Sequence, residues 1–347
     1  MRITRKTLGV SFVAATLALS AAACSSDSGA DAASSGDGAG ASDGGSSEET
    51  IDVNFGFIPD FNGTSLLAIA EDQGMWDEHN IEINTPSFTN GPLQIQALGT
   101  GDLDFGYIGP GAFWLPASGQ AKIVAMNTLG QADRVVGQPG IESMEDLRGK
   151  KVAVPEGTSG DMILTLALQD AGMTKDDIEV VPMEPAAIVA ALSSGQVDGA
   201  GLWYPALATV KEQVPDLVEI ASNKDFEDSV SFPTAFVAGN DLVANDPEKV
   251  ERVLAVLREA IDYRAENMDS AIELTAAFND LAVEDVEGDA ANVQVLSLDE
   301  IDTMTEDGTV DGWLTGMGDY FVGAGKLDAQ VEPSEYYLGD MFLEAGK

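Results

Sequence analysis

The chain of 347 residues holds one cysteine and one histidine. A lone Cys24 closes no internal disulfide, so the fold rests on packing. His79, in "MWDEHN" ahead of a strand, reads as a surface turn residue. Together they exclude a Cys–His nucleophile pair and a metal cluster with two His ligands. Basic residues are scarce as well: 17 Lys and Arg stand against 59 Asp and Glu, a formal net charge of −42. With no Lys/Arg cluster and no basic-aromatic interleaving, a surface for nucleic acid or anionic lipid is excluded. The acid excess reads as solubility, and in so acidic a chain adjacent carboxylates carry no catalytic weight. "DGTVDGW" falls short of a twelve-residue Ca²⁺ loop. We therefore expect no metal, no cofactor and no catalysis.

What is present begins with a leader. "MRITRKTLGV" supplies Arg2, Arg5 and Lys6, and "SFVAATLALSAAA" adds an apolar run too short for a comfortable membrane span. Residues 1–23 read as an export signal. Its end, "LSAAAC", resembles a bacterial lipoprotein lipobox, with Ala21 where Leu is usual. The resemblance implies that Cys24 becomes the lipid-modified first residue, anchoring the chain to the outer face of the cytoplasmic membrane. From 24 to 50 the chain is Ser, Gly, Ala and Asp without aromatic or large aliphatic residues. It buries too little to offset chain entropy and reads as a flexible tether. Losing the three leader cations takes the formal charge to −45.

From Ile51 onward strands and helices alternate. "IDVNFGFI", "IEINTPSF" and "LDFGYIG" read as strands. Between them, "SLLAIAEDQGMW" is a helix stopped at Gly74, and "NGPLQIQALGTG" one opened by Asn90 and Pro92 and closed at Gly99 or Gly101. "KKVAVPEG", "IEVVPM" and "QVDGAGLW" repeat the logic around two further helices. "FPTAFVAGNDLV" reads as a strand returning to the first unit, and the helix after it carries Val250, Val253, Leu254, Leu257 and Ile261 on one face. Such alternation predicts parallel sheet with helices on its faces. The segments "GDLDFGYIGPGAF" (101–113) and "GQVDGAGLWYPAL" (195–207) echo one another. Each is a Gly, a strand and a turn at the strand's carboxyl end, where open α/β sheets bind ligands. Two lobes facing each other through such turns make a cleft.

These residues carry a family resemblance. "SLLAIAEDQGMW", "NGPLQIQALGTGDLDFGYIGPG", "SMEDLRGKKVAVPEGTSGDMIL" and "MEPAAIVAALSSGQVDGAGLWYPAL" are similar to the solute-binding proteins of ABC importers in the taurine, aliphatic sulfonate and nitrate group. The resemblance spans Ile51 to the end. It implies an α/β, two-lobed, periplasmic-binding-protein-like fold of type II, each lobe a mainly parallel sheet flanked by helices, with a hinge of crossing strands. Lobe one is expected over 51–133 and 237–347, lobe two over 134–236, with crossings near Asp133–Gly137 and Phe236–Asn240. It implies a monomeric receptor delivering a small organic anion or zwitterion to a membrane permease. Nitrate or a pyrimidine precursor of thiamine are alternative solutes. An enzyme resembling thiamine-pyrimidine synthases would need reactive His and Cys that this chain lacks.

The candidate site follows from residue chemistry. Gly157, Thr158, Ser159 and Gly160 lie between a strand and a helix start, where free amides and hydroxyls cradle an anion without Lys or Arg. Asn90 and Gly91 open the facing helix. Phe57, Asp60, Phe61 and Asn62 form a turn that suits an ammonium group. Trp203, Tyr204 and Pro205 are expected to wall one side, with Gly109, Pro110 and Phe113 opposite. Thr234 stands where taurine-binding relatives carry an Asp.

Overall fold

The computed structural model describes residues 49–347. The expected leader, Cys24 and nearly all of the tether lie outside the described residues. Among the described residues no helix is long and apolar enough to cross a membrane.

Eleven strands are assigned among them: β1 Ile51–Asn54, β2 Ile81–Asn84, β3 Phe105–Ile108, β4 Lys122–Gly130, β5 Asp133–Gly137, β6 Lys151–Val154, β7 Glu179–Pro182, β8 Gly199–Trp203, β9 Val218–Ser222, β10 Pro233–Ala238 and β11 Val293–Val295. The first lobe holds the parallel pair β1–β2 and a sheet of order β11-β4-β10-β3. A parallel bridge between Phe55 and Phe105, with a Gly56 amide to Phe105 carbonyl bond of 2.9 Å, joins the two. The second lobe holds a sheet of order β7-β6-β8-β5-β9. Both lobes thus share one plan, in which β3 and β8 occupy equivalent central places.

The mainly parallel sheets anticipated from the alternation need correction. Within both sheets β10 and β5 run antiparallel to each strand they pair with. The reason is the crossing itself. Strands of strand–helix–strand units run toward the cleft, whereas a strand arriving from the other lobe enters at the cleft and runs away from it. The second crossing is also earlier than expected. Pro233–Ala238 pairs with β3 and β4, so the chain has returned before Pro233, and Phe236–Asn240 lies at the far end of that strand.

Local signals set the helix ends. The Asp60 carboxylate accepts from the Gly63 amide at 2.7 Å and caps helix Phe61–Asp72. Asn90 accepts from the Leu93 amide at 3.1 Å and caps Gly91–Thr100, which Gly101 closes at φ 77°. Asp246 caps Pro247–Glu266, whose stripe of Val250, Val253, Leu254, Leu257 and Ile261 is fully buried. Phe55, Phe105, Tyr107 and Phe236 pack ring against ring at 5.5–5.9 Å behind the cleft and fix the strand ends that face it.

Candidate functional site between the lobes

The turns at the strand ends converge on a cavity of about 40 Å³. The first lobe contributes Ile58, Asp60 and Asn62 after β1, Gly91 and Pro92 at a helix start, and Tyr107, Gly109, Pro110 and Ala112 around the end of β3. The crossing contributes Gly130, Ala132 and Asp133, and the start of β10 contributes Thr234. The second lobe answers with Thr158, Ser159, Trp203 and Tyr204.

The lobes touch around this space. A Cβ added to Gly111 would stand 2.1 Å from both the carbonyl carbon and oxygen of Thr158. Glu184, at the N-cap of helix Pro185–Ser193, does not cap that helix. Its carboxylate accepts instead from the Thr89 hydroxyl and the Asn90 amide of the first lobe, each at 2.9 Å. The Lys326 ammonium lies 3.5 Å from the Asp161 carboxylate across the same gap. The arrangement is closed.

Carboxylates dominate the electrostatics. No Lys, Arg or His lines the cavity, yet Asp60 and Asp133 do. Burial, with the neighbouring Asp289 carboxyl, raises the Asp60 pKa well above the usual range against the Gly63 amide. Burial also raises Asp133, opposed by Ser159, Asn223 and Arg134. Asn223 donates to Asp133 Oδ2 at 2.9 Å, while Asp133 Oδ1 is buried and accepts no hydrogen bond of ordinary geometry among the described residues. Burial pushes Asp289, behind Asp60, up to about 6. A buried carboxylate oxygen with no donor is costly unless something supplies one.

A hydrogen-bonded layer holds the lining from behind. Thr128 donates to Asn62 Oδ1 at 2.6 Å and its hydroxyl lies 2.8 Å from that of Thr234. Asn127 donates to the Asn62 carbonyl at 2.8 Å. The fully buried Arg264 donates to Ser65 Oγ at 3.0 Å and to the Asn127 carbonyl at 3.2 Å. Among the described residues no carboxylate comes within ion-pair range of it, and burial lowers its pKa to about 9. It remains a cation at neutral pH and biases the field behind Asn62.

At the second-lobe side the donors are neutral. Thr158 occupies the N-cap of helix Ser159–Asp170, but its hydroxyl donates to the Pro155 carbonyl at 2.6 Å rather than serving as the helix cap acceptor. The amides of the opening turn lack intrahelical acceptors, and Thr158 and Ser159, which begin that turn, line the cavity. Asp161 braces the turn by accepting from the Gly157 amide at 3.0 Å and pairing with Lys175.

Of the expected site residues, Asp60, Asn62, Gly91, Gly109, Pro110, Thr158, Ser159, Trp203, Tyr204 and Thr234 share this cavity. Seven others stand outside its lining, among them Phe113, buried in the core, and Pro205, at the start of helix Ala206–Gln213. Phe57 packs edge-on against Phe278 at 5.5 Å, and Phe61 is wholly buried in the core. Asn90 is spent on its cap and on Glu184. Gly157 turns the chain at φ 75°, and Gly160 lets its helix approach β8, where a Cβ would meet the Gly201 carbonyl at 2.7 Å. Asp133 and Tyr107 went unrecognised as lining. The available signal was an acid at the head of the buried strand "DRVVG" and a phenol inside "FGYIG". His79 lies outside the lining and pairs with Glu259 at 2.8 Å.

Residues 62–271, more than half of the chain, match the family described as NMT1/THI5 like. A relative from Brucella abortus (strain 2308), named only as a binding protein, is 51% identical over 85% of this chain and 92% of its own length. The taurine-binding periplasmic protein of Escherichia coli K12 is 28% identical over 53% of this chain and 57% of its own. Among solved structures, the alkanesulfonate-binding protein SsuA of Xanthomonas axonopodis pv. citri, bound to MOPS, superimposes with a TM-score of 0.65 at 21% identity, covering 83% of this chain and 98% of that one. The desulfurization enzyme DSZB shares the fold at a TM-score of 0.63 and 15% identity, covering 85% and 98%.

Proposed function

Because the chain belongs to the NMT1/THI5-like family, we propose that it is the solute-binding receptor of an ABC importer, specialised for a small zwitterion that carries an ammonium and a sulfonate-like anion. The observation that carries this reading is the buried, unpartnered Asp133 Oδ1 beside Asp60 in a cavity without a basic lining residue. A bare anion such as nitrate or an alkanesulfonate would meet two carboxylates there. An ammonium satisfies them, and the neutral amides opening helix Ser159–Asp170 take the anionic end. The names of the relatives support the class: one is a taurine-binding protein, and MOPS, held by SsuA, is itself an aminosulfonate. The chain acts as a receptor rather than an enzyme, as a monomer that presents its closed form to a membrane permease. Residues 1–23 direct export, and acylated Cys24 holds the receptor at the membrane through the tether.

Calorimetric titration of the full chain with taurine, ethanesulfonate, ethylammonium and nitrate tests the reading. Taurine is expected to bind, and ethanesulfonate and nitrate at least a hundredfold more weakly. Equal affinity for ethanesulfonate would overturn it. The anchor is tested apart, by radiolabelled fatty acid incorporation into the wild type and its absence in Cys24→Ser.

A further inference from the structure

Three of the four polar atoms of Asp133 are tied by two side chains of the second lobe. Its backbone amide donates to Asn223 Oδ1 at 2.7 Å. Its carbonyl accepts from Arg134 Nη1 at 2.8 Å. Its Oδ2 accepts from Asn223 Nδ2 at 2.9 Å. The fourth atom, Oδ1, accepts no hydrogen bond of ordinary geometry among the described residues, and Asp133 lines the cavity. One carboxamide thus makes two of the three ties. Asn223 does so while 1% exposed, so water does not compete for them.

The geometry demands this residue type. A backbone N–H only donates and an ionised carboxylate only accepts, so the group between them must accept at one end and donate at the other. Asn does both, whereas an ionised Asp has no donor. The place of Asn223 is set locally. Strand β9 pairs with β5 as far as Ser222 opposite Arg134, and Asn223 is the next residue. Ser222 and Asp225 close a capping box around it, Asp225 Oδ2 accepting from the Ser222 amide at 2.8 Å and hydroxyl at 3.0 Å. We propose that Asn223 is a positioning residue: it holds the Asp133 carboxylate in one orientation, with Oδ2 engaged and Oδ1 left for the solute. This rests on the reading of Asp133 as an acceptor for an ammonium. A carboxylate already held loses little side-chain freedom when the solute arrives.

Asn223→Asp tests this, by calorimetric titration of the full chain with taurine between about pH 5 and about pH 8. At high pH the introduced carboxylate repels Asp133 Oδ2. As pH falls it takes up a proton; its O–H then donates to Oδ2 and its carbonyl oxygen accepts from the Asp133 amide, as the carboxamide does. An ammonium at Oδ1 keeps Asp133 the ionised member of the pair. Asp60 in the same lining, Arg134, and Glu219 paired with Arg134 are the same in both proteins, so the ratio of affinities isolates the introduced group. The variant is expected to bind at least tenfold more weakly than wild type at pH 8 and within threefold of it at pH 5. A ratio that does not change with pH overturns the positioning role and leaves the ammonium site standing. Thermal melting at each pH checks folding. If Asn223→Asp does not fold, Asn223→Ser decides: it is expected to cost at least fivefold in taurine affinity in wild type and less than twofold in Asp133→Asn. Equal costs in the two backgrounds overturn the proposal. Failure of the wild type to bind taurine overturns the zwitterion reading and this inference with it.

Discussion

The echoed segments 101–113 and 195–207 end in turns that serve one cavity in opposite ways. After β3 the chain runs Gly109-Pro110-Gly111-Ala112 and contributes closeness: backbone meets backbone because side chains are missing. After β8 it runs Trp203-Tyr204-Pro205 and contributes surface: the rings of Trp203 and Tyr204 line the cavity. The lobes are also electrically unlike. The first lobe holds Asp60 and Asp289, and Asp133 stands at the crossing, at the head of β5, whereas the rest of the second-lobe lining is of hydroxyls, amides and rings. Two copies of one strand arrangement have been divided into a charged jaw and a neutral jaw.

The largest effect should come from filling the missing side chain. Gly111→Ala puts a methyl 2.1 Å from the Thr158 backbone, so the lobes cannot close as they do here. Affinity is expected to fall more than a thousandfold, with small-angle scattering showing no contraction on adding taurine. Gly109→Ala is the control, since its Cβ would lie 3.7 Å from Ser159 Oγ, an ordinary contact; a loss beyond threefold would contradict this account.

The charged jaw predicts a pH signature. The Asp289 pKa is raised to about 6, so its protonated form favours the folded state. Its stabilising effect is full below the unfolded carboxyl pKa near 4 and is lost as pH rises through about 6, a change of about 3 kcal/mol. Asp289→Asn can still accept from the Phe61 amide. In urea unfolding it should gain stability relative to wild type between pH 4 and 7 by about that amount. A constant difference across this range would contradict the buried charge.

Asp60→Asn keeps a capping residue but removes a carboxylate, so taurine affinity should drop by about 2 kcal/mol, roughly thirtyfold, with the fold intact. The same variant should bind ethanesulfonate no worse than wild type. On the neutral jaw, Trp203→Ala should weaken taurine binding by about tenfold, because the ring lines the cavity. The smallest effect belongs to the bridge between the jaws. Glu184 is exposed, so Glu184→Ala should lower affinity by less than about 1 kcal/mol, mainly through faster release in stopped flow.

What could be read from residues alone was local. Asn90, Asp246 and Gly101 announce helix ends through their own side chains or their freedom at positive φ, and the structure uses them so. The echo likewise disclosed two lobes of one plan. Strand direction was hidden, because β5 and β10 owe theirs to the side from which the chain enters, not to their apolar pattern. Asp133 was hidden for a related reason. It looked like a hinge residue, and only the return of β10 and the nearness of Ser159 enclose it. Phe57 and Phe61 show the converse: a turn rich in aromatics advertised a binding surface, but the rings are buried in the core while the polar Asp60 and Asn62 on either side of Phe61 line the cavity.

The Glu184 bridge to Thr89 and Asn90 and the approach of Lys326 to Asp161 use protein groups alone. Part of the drive to shut therefore comes from the protein itself, and on the receptor reading some empty copies would adopt the transport-competent shape. For a receptor working as proposed, those vacant copies occupy the permease without cargo. Making more receptor would then eventually slow uptake instead of speeding it.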